Sequence, residues 1–149
     1  MTKHLPLPLL IELAQNKVNE ADQVLGEATA QRRQAQEQLD TLDTYRADYT
    51  LRLQQATEEG MSVSNYHNFR RFIVTLDEAI FQQNRIIAQI DTKIEAGRQQ
   101  WYTEKRQLNA FETLKARQDQ QWQYRQRHRE QRANDEIAAG LYHRSRQPH

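Results

Sequence analysis

The sequence predicts an all-α chain: a long two-helix antiparallel coiled-coil hairpin whose second helix overhangs the first at its C-terminal end. Three observations carry this expectation. Proline occurs only at Pro6, Pro8 and Pro148, so nearly the whole chain is free of the strongest helix breaker. One short segment, Glu59-Gly60-Met61-Ser62-Val63-Ser64-Asn65, concentrates the turn-forming residues. On either side of it, apolar residues recur in steps of three and four, the spacing of a coiled-coil seam. Composition agrees. Of 149 residues 37% are hydrophobic and the mean hydropathy is -1.03, too polar for a many-layered core. With 28% charge but a net of only +1, the self-repulsion that holds disordered chains open is small.

The elements follow in order, as a single coiled-coil domain. Helix one is expected from about 9 to 57, beginning after the Pro6/Pro8 pair. A loop spans about 58–63, where Gly60 can take the left-handed conformation that closes a helix and Ser62 or Ser64 can supply a capping oxygen for the next. Helix two runs from about 64 to 139, and the isolated Gly140 is expected to end it, leaving a flexible tail at 140–149. No stretch reaches the ~18 apolar residues that span a bilayer. The Leu-Pro-Leu-Pro-Leu-Leu run near the start lacks the length and cleavage site of a secretory signal, so a cytoplasmic chain is expected.

The seam has two rows on each helix. On helix one Ile11, Val18, Leu25, Arg32, Leu39, Arg46 and Leu53 occupy the a positions, and Ala14, Ala21, Ala28, Ala35, Leu42, Tyr49 and Ala56 the d positions. On helix two Ile73, Ile80, Ile87, Ile94, Trp101 and Leu108 are at a, with Phe69, Leu76, Gln83, Ile90, Gly97, Glu104 and Phe111 at d. A short loop forces antiparallel packing, and a loop centred near Met61 makes facing residue numbers sum to about 122. Leu25 then meets Gly97, and Ala14, Ala21, Ala28 and Ala35 meet Leu108, Trp101, Ile94 and Ile87. Large faces small in each layer, which fills the seam without strain. Arg32, Arg46, Gln83 and Glu104 interrupt it and are expected to snorkel outward. By the same sum helix one is exhausted near residue 111, so from Leu114 helix two has no partner within the hairpin. An unpaired helix of ~25 residues is marginal alone. Residues 117–149 hold seven arginines and four acids together with Trp122, Tyr124 and Tyr142.

Near the loop the apolar face is wider than one partner helix requires. Tyr45, Phe72, Ala79 and Ile86 are at g positions, and in an antiparallel pair both g rows line one edge. With Gln38, Leu42, Tyr49, Leu76 and Gln83 they form a double stripe of a kind that marks contact surfaces; the seam alone would also account for Leu42, Tyr49 and Leu76. Catalytic patterns are missing. The chain has no cysteine, no glycine-rich phosphate loop and no G-x-S-x-G elbow. Its five histidines never stand at ligand spacing, so no metal and no cofactor is expected, and no small-molecule substrate. The arginine-rich tail admits a nucleic-acid-binding coiled coil as a rival reading, but its arginines alternate with acids and glutamines, so no nucleic acid is the expectation.

The chain resembles the flagellar FliJ family over about residues 9–114. The likeness is carried by Leu25-Gly26-Glu27, Gln38-Leu39, Tyr45 with Tyr49, the loop from Gly60 to Asn65, Phe72-Ile73-x-x-Leu76-x-x-Ala79-Ile80, Trp101 and the Leu108 to Gln118 segment. It implies a non-catalytic stalk of the flagellar type III export apparatus, cytoplasmic and peripheral at the inner membrane. The equivalent stalk of a virulence type III secretion system is the nearest alternative. The implied partners are the export ATPase hexamer, the cytoplasmic domain of the export-gate membrane protein, and export chaperones that are recycled. The family's gate-contacting positions match Gln38, Leu42, Tyr45, Tyr49, Phe72, Leu76 and Ala79, the double stripe reached above by packing. Gln83 stands where members can carry a histidine and is left out. Leu13, Trp122, Tyr124, Arg125 and Arg127, near the free helix ends, are the corresponding candidates for the ATPase.

Overall fold

The computed structural model describes residues 5–146, which form two helices and no strand: α1, Leu7–Glu59, and α2, Val63–Ser145. Helix α1 begins two residues earlier than the prolines suggest, because the Pro6 carbonyl accepts hydrogen bonds from the Leu9 and Leu10 amides at 3.0 and 3.1 Å. Pro8 falls inside the first turn, where no intrahelical donor is required of it. At the other end Gly60 adopts φ 93° and closes α1, its amide reaching the Thr57 carbonyl at 3.3 Å. Ser62 is the cap of α2: its Oγ accepts the Asn65 amide at 3.2 Å while its carbonyl accepts that of Tyr66 at 3.0 Å.

Gly140 does not end α2 as the sequence suggests. The helix runs on through Leu141 and Tyr142 to Ser145, and Gly140 has no positive φ. A single glycine weakens a helix by only ~1 kcal/mol, and termination needs a left-handed residue as well. The tail expected at 140–149 is therefore helical as far as Ser145, and its last residues, 147–149, lie outside those described.

Two compact units divide the chain. The loop unit comprises residues 18–103 and the terminal unit residues 1–17 with 104–149. In the loop unit the buried positions are those of the seam: Val18, Ala21, Ala28, Ala35, Leu39 and Leu53 on α1, and Ile73, Leu76, Ile87 and Ile94 on α2. Ala35, Leu39 and Ile87 form one cluster, with Ile80 and Ile90 packed against it. Four cross-helix features fix the register. A Cβ on Gly97 would stand 3.5 Å from Leu25 Cδ1. Arg32 Nε donates to Asp91 Oδ1 at 2.6 Å, and Arg46 Nε donates to Asp77. Gln83 Nε2 donates to the Ala35 carbonyl at 2.8 Å and to Gln38 Oε1 at 3.1 Å. These pairs sum to 121–123, close to the expected 122, apart from the bond of Gln83 to the Ala35 carbonyl, which reaches about one helical turn along α1.

The interruptions of the seam resolve in two ways. Arg32 and Arg46 do reach outward, each to an aspartate on the partner helix; the bond to Asp77 holds the Arg46 guanidinium above its ordinary range, with attraction to the same carboxylate adding to it. Gln83 does not snorkel. It is 9% exposed and turns inward, because the Ala35 carbonyl and Gln38 give its amide partners inside the seam. In the terminal unit the core narrows to Ala14 and Leu108, the latter 1% exposed, with Ile11 and Phe111 half-buried beside them. From Glu112 to Arg146 all residues are exposed except Gln126, which is half-buried.

Candidate interaction surfaces

The loop unit carries the double stripe. Tyr45 and Phe72 are 52% and 42% exposed, large aromatics that the hairpin leaves in solvent. Tyr49 is half-buried beside Phe72: its ring lies 4.4 Å from that of Phe72 and 6.2 Å from that of Phe69, both tilted, and the Arg52 guanidinium sits 5.4 Å over it. Contacts of this kind favour particular ring orientations. Gln38, Leu42 and Gln83, from both helices, line a shallow groove with Gln34, Glu37 and Thr41. The stripe is thus an exposed surface built on both helices.

Its seven predicted residues do not share one environment. Gln38, Tyr45 and Phe72 are exposed, whereas Leu42, Tyr49 and Ala79 are half-buried. Leu76 is 6% exposed and belongs to the core of the seam, so its side chain supports the surface from below. Sequence reasoning passed over Val74 and Phe81, 51% and 62% exposed, which border a shallow depression with Thr75, Glu78 and Gln82. Their one-heptad spacing outside the a, d and g rows is the signal that marks them.

The terminal unit holds the other candidates. Leu13 is exposed on α1, next to a row of exposed leucines, Leu5 and Leu9, at four-residue spacing. Trp122 and Tyr124 are 62% and 70% exposed on α2, with Arg125 and Arg127 exposed beside them. The Tyr124 ring stacks on His128 with planes 4° apart and centroids 6.1 Å apart. Arg117, Gln120, Gln121, Tyr124 and Arg125 border a second open depression. Such a helix face offers stacking planes and guanidinium groups to a partner, and little else to hold it in place. Among the described residues no group of His, Asp and Glu is placed to hold a metal ion, and no helix is long and apolar enough to cross a membrane.

Comparison with known proteins settles the family. The family model described as "Flagellar FliJ protein" matches residues 2–147. The chain belongs to the flagellar FliJ family. Two curated relatives carry the same description: a protein of Escherichia coli (strain K12) and one of Salmonella typhi. Each is 31% identical over 138 residues, spanning 93% of this chain and 94% of the relative. FliJ membership makes the chain a non-catalytic component of the flagellar protein export apparatus. Among solved structures, one described as a YscO homolog from Chlamydia trachomatis shares the fold, with a TM-score of 0.56 at 12% identity, covering 98% of this chain and 100% of that one.

Proposed function

We propose that the chain is a coiled-coil stalk that links an export ATPase to the export gate. Its terminal unit engages the ATPase ring through Leu13, Trp122, Tyr124, Arg125 and Arg127. Its loop unit engages the cytoplasmic domain of the gate protein through the stripe around Tyr45, Tyr49 and Phe72. Export chaperones dock transiently and are recycled, and the protein works in the cytoplasm at the face of the inner membrane.

The observation that carries this reading is the exposure of α2 beyond Phe111. The helical stretch 112–145, exposed but for the half-buried Gln126, gains little from its own chain, and most helical stability comes from packing. Insertion into a protein ring supplies the missing packing. The exposed aromatics of the loop unit support a second surface, since grouped aromatics are enriched where proteins meet. The flagellar relatives favour this system over a virulence secretion system, for which only a shared fold speaks. The test is a pull-down of the tagged full chain from a lysate of flagellated cells, followed by titration of the purified ATPase and gate domain. Co-capture of both supports the reading. Absence of either, with the other retained, removes that arm of it.

A further inference from the structure

The apolar layers of the loop unit leave a problem of register unsolved. The alanines of α1 recur every seven residues, and so do the isoleucines of α2 that face them. A slip of one heptad sets Ala28 against Ile87 or Trp101 in place of Ile94, a layer of the same kind. Leu25 against Gly97 opposes such a slip at one place only. Gln83 discriminates in one direction alone, since a slip the other way would offer it Ala28 and Gln31 in place of Ala35 and Gln38.

Charge is arranged differently. The e positions of α2 read Arg70, Asp77, Asn84, Asp91 and Arg98 at seven-residue intervals, a palindrome centred on Asn84. Arg32 and Arg46 of α1 stand two heptads apart, as do their partners Asp91 and Asp77, and both pairs sum to 123. A slip of one heptad towards higher numbers on α2 would set Arg32 opposite Arg98 and Arg46 opposite Asn84. In the other direction Arg46 would face Arg70 and Arg32 would face Asn84. Either way two attractions are replaced by one neutral contact and one repulsion between arginines.

We propose that this row is a register code, which holds the hairpin in one axial alignment and penalises a slip of one heptad equally in both directions. Polar groups that specify the register of a coiled coil while adding little to its stability are a known device of such folds. Magnitude fits that division of labour. The pairs are 39% to 50% exposed, where a single ion pair contributes little to folding. The loop capped at Gly60 and Ser62 already favours this register, and between apolar layers that are nearly equivalent the charge row adds to that bias. One consequence is that the contact between Tyr49 and Phe72 survives, because a slipped hairpin would set the two rows of the aromatic edge out of step. The inference concerns the hairpin itself and stands whatever partner binds it.

The chain has no cysteine, so introduced pairs report register without background. Gln38→Cys with Gln83→Cys marks the native alignment, and Gln38→Cys with Ile90→Cys or with Leu76→Cys marks the two slips. Disulfide yields are measured in a glutathione buffer on the full chain, with circular dichroism alongside. With the natural row the native pair should dominate. In Asp77→Asn/Asp91→Asn the ratio of native to slipped yield should fall by about fivefold or more, two exposed ion pairs being lost. Rewriting the row as Asp77→Asn/Asn84→Asp/Asp91→Asn/Arg98→Asp gives Arg32 and Arg46 their aspartates one heptad on, and Gln38→Cys with Ile90→Cys should become the leading product. Native-pair dominance that survives the rewriting overturns the proposal and assigns the register to the loop and the apolar layers. Loss of helicity in the rewritten chain also overturns it, since it would make these charges determinants of folding.

Discussion

Ile87 and Phe72 stand on the same helix, and their surroundings set opposite expectations. Ile87 is buried against Ala35 and Leu39, with no second layer behind it to collapse into the space a truncation leaves. Ile87→Ala should therefore cost about 2–4 kcal/mol, near the lower part of the range for buried aliphatics because the seam is thin. Urea denaturation followed by circular dichroism checks this. Glycines give a second contrast. At Gly97 a methyl group would rest 3.5 Å from Leu25, an ordinary contact, but a leucine would have to push the helices apart, so Gly97→Leu should destabilise by about 1–3 kcal/mol. Gly26 has nothing within 4 Å, so Gly26→Ala should stabilise by about 0.5–1 kcal/mol through helix propensity alone. Melting temperatures that moved together for Gly97→Leu and Gly26→Ala would contradict the observed layer.

At the scale of elements, what was legible in the sequence is what repeats. The a and d rows are spaced by the geometry of the helix, so Val18, Ala28, Leu39, Ile73 and Ile94 could be assigned to the core, and the loop position then fixed which layer met which. Single events were harder to read. Pro8 is tolerated because of its place in the first turn, Gly140 stays helical because no left-handed turn follows, and Gln83 turns inward because a particular carbonyl is within reach. None of these is periodic. Leu76 illustrates the same limit within the candidate surface: a d residue at the border of the stripe can face either way, and only packing decides that it lies inside. Two element-scale predictions follow from these details. Gly60 at φ 93° should resist any side chain, so Gly60→Ala should destabilise the hairpin by about 1–2 kcal/mol. Since buried positions stop at Leu108 and half-buried ones at Phe111, with Gln126 apart, truncation after Leu114 should remove helicity in proportion to the residues lost and leave the denaturation midpoint within experimental error. A larger loss of ellipticity would mean that residues 115–149 pack on the rest of the chain.

At the scale of the whole molecule, the depressions described above are open ones, and the described residues present long exposed faces that assembly can use. Its two candidate surfaces lie in different compact units, one built on seven-residue edges beside the loop, the other on exposed α2. Surfaces so separated along the sequence should be separable by mutation, since substitutions without shared neighbours act independently. Phe72→Ala removes an exposed ring whose contact is with Tyr49, so it should cost folding only about 0.5–1.5 kcal/mol, the scale of an aromatic pair. As an interface aromatic it should weaken binding to the gate domain by more than about tenfold, equivalent to at least ~1.4 kcal/mol, and leave ATPase binding unchanged. Trp122→Ala with Tyr124→Ala should do the reverse, weakening the ATPase complex without affecting the gate. Both affinities and the melting temperature are measured for each variant. If Phe72→Ala lowers the melting temperature as far as Ile87→Ala does, the ring is part of the seam and the stripe loses its central residue. If each variant weakens both complexes, the two partners share one surface, and the assignment of separate surfaces to the two units fails.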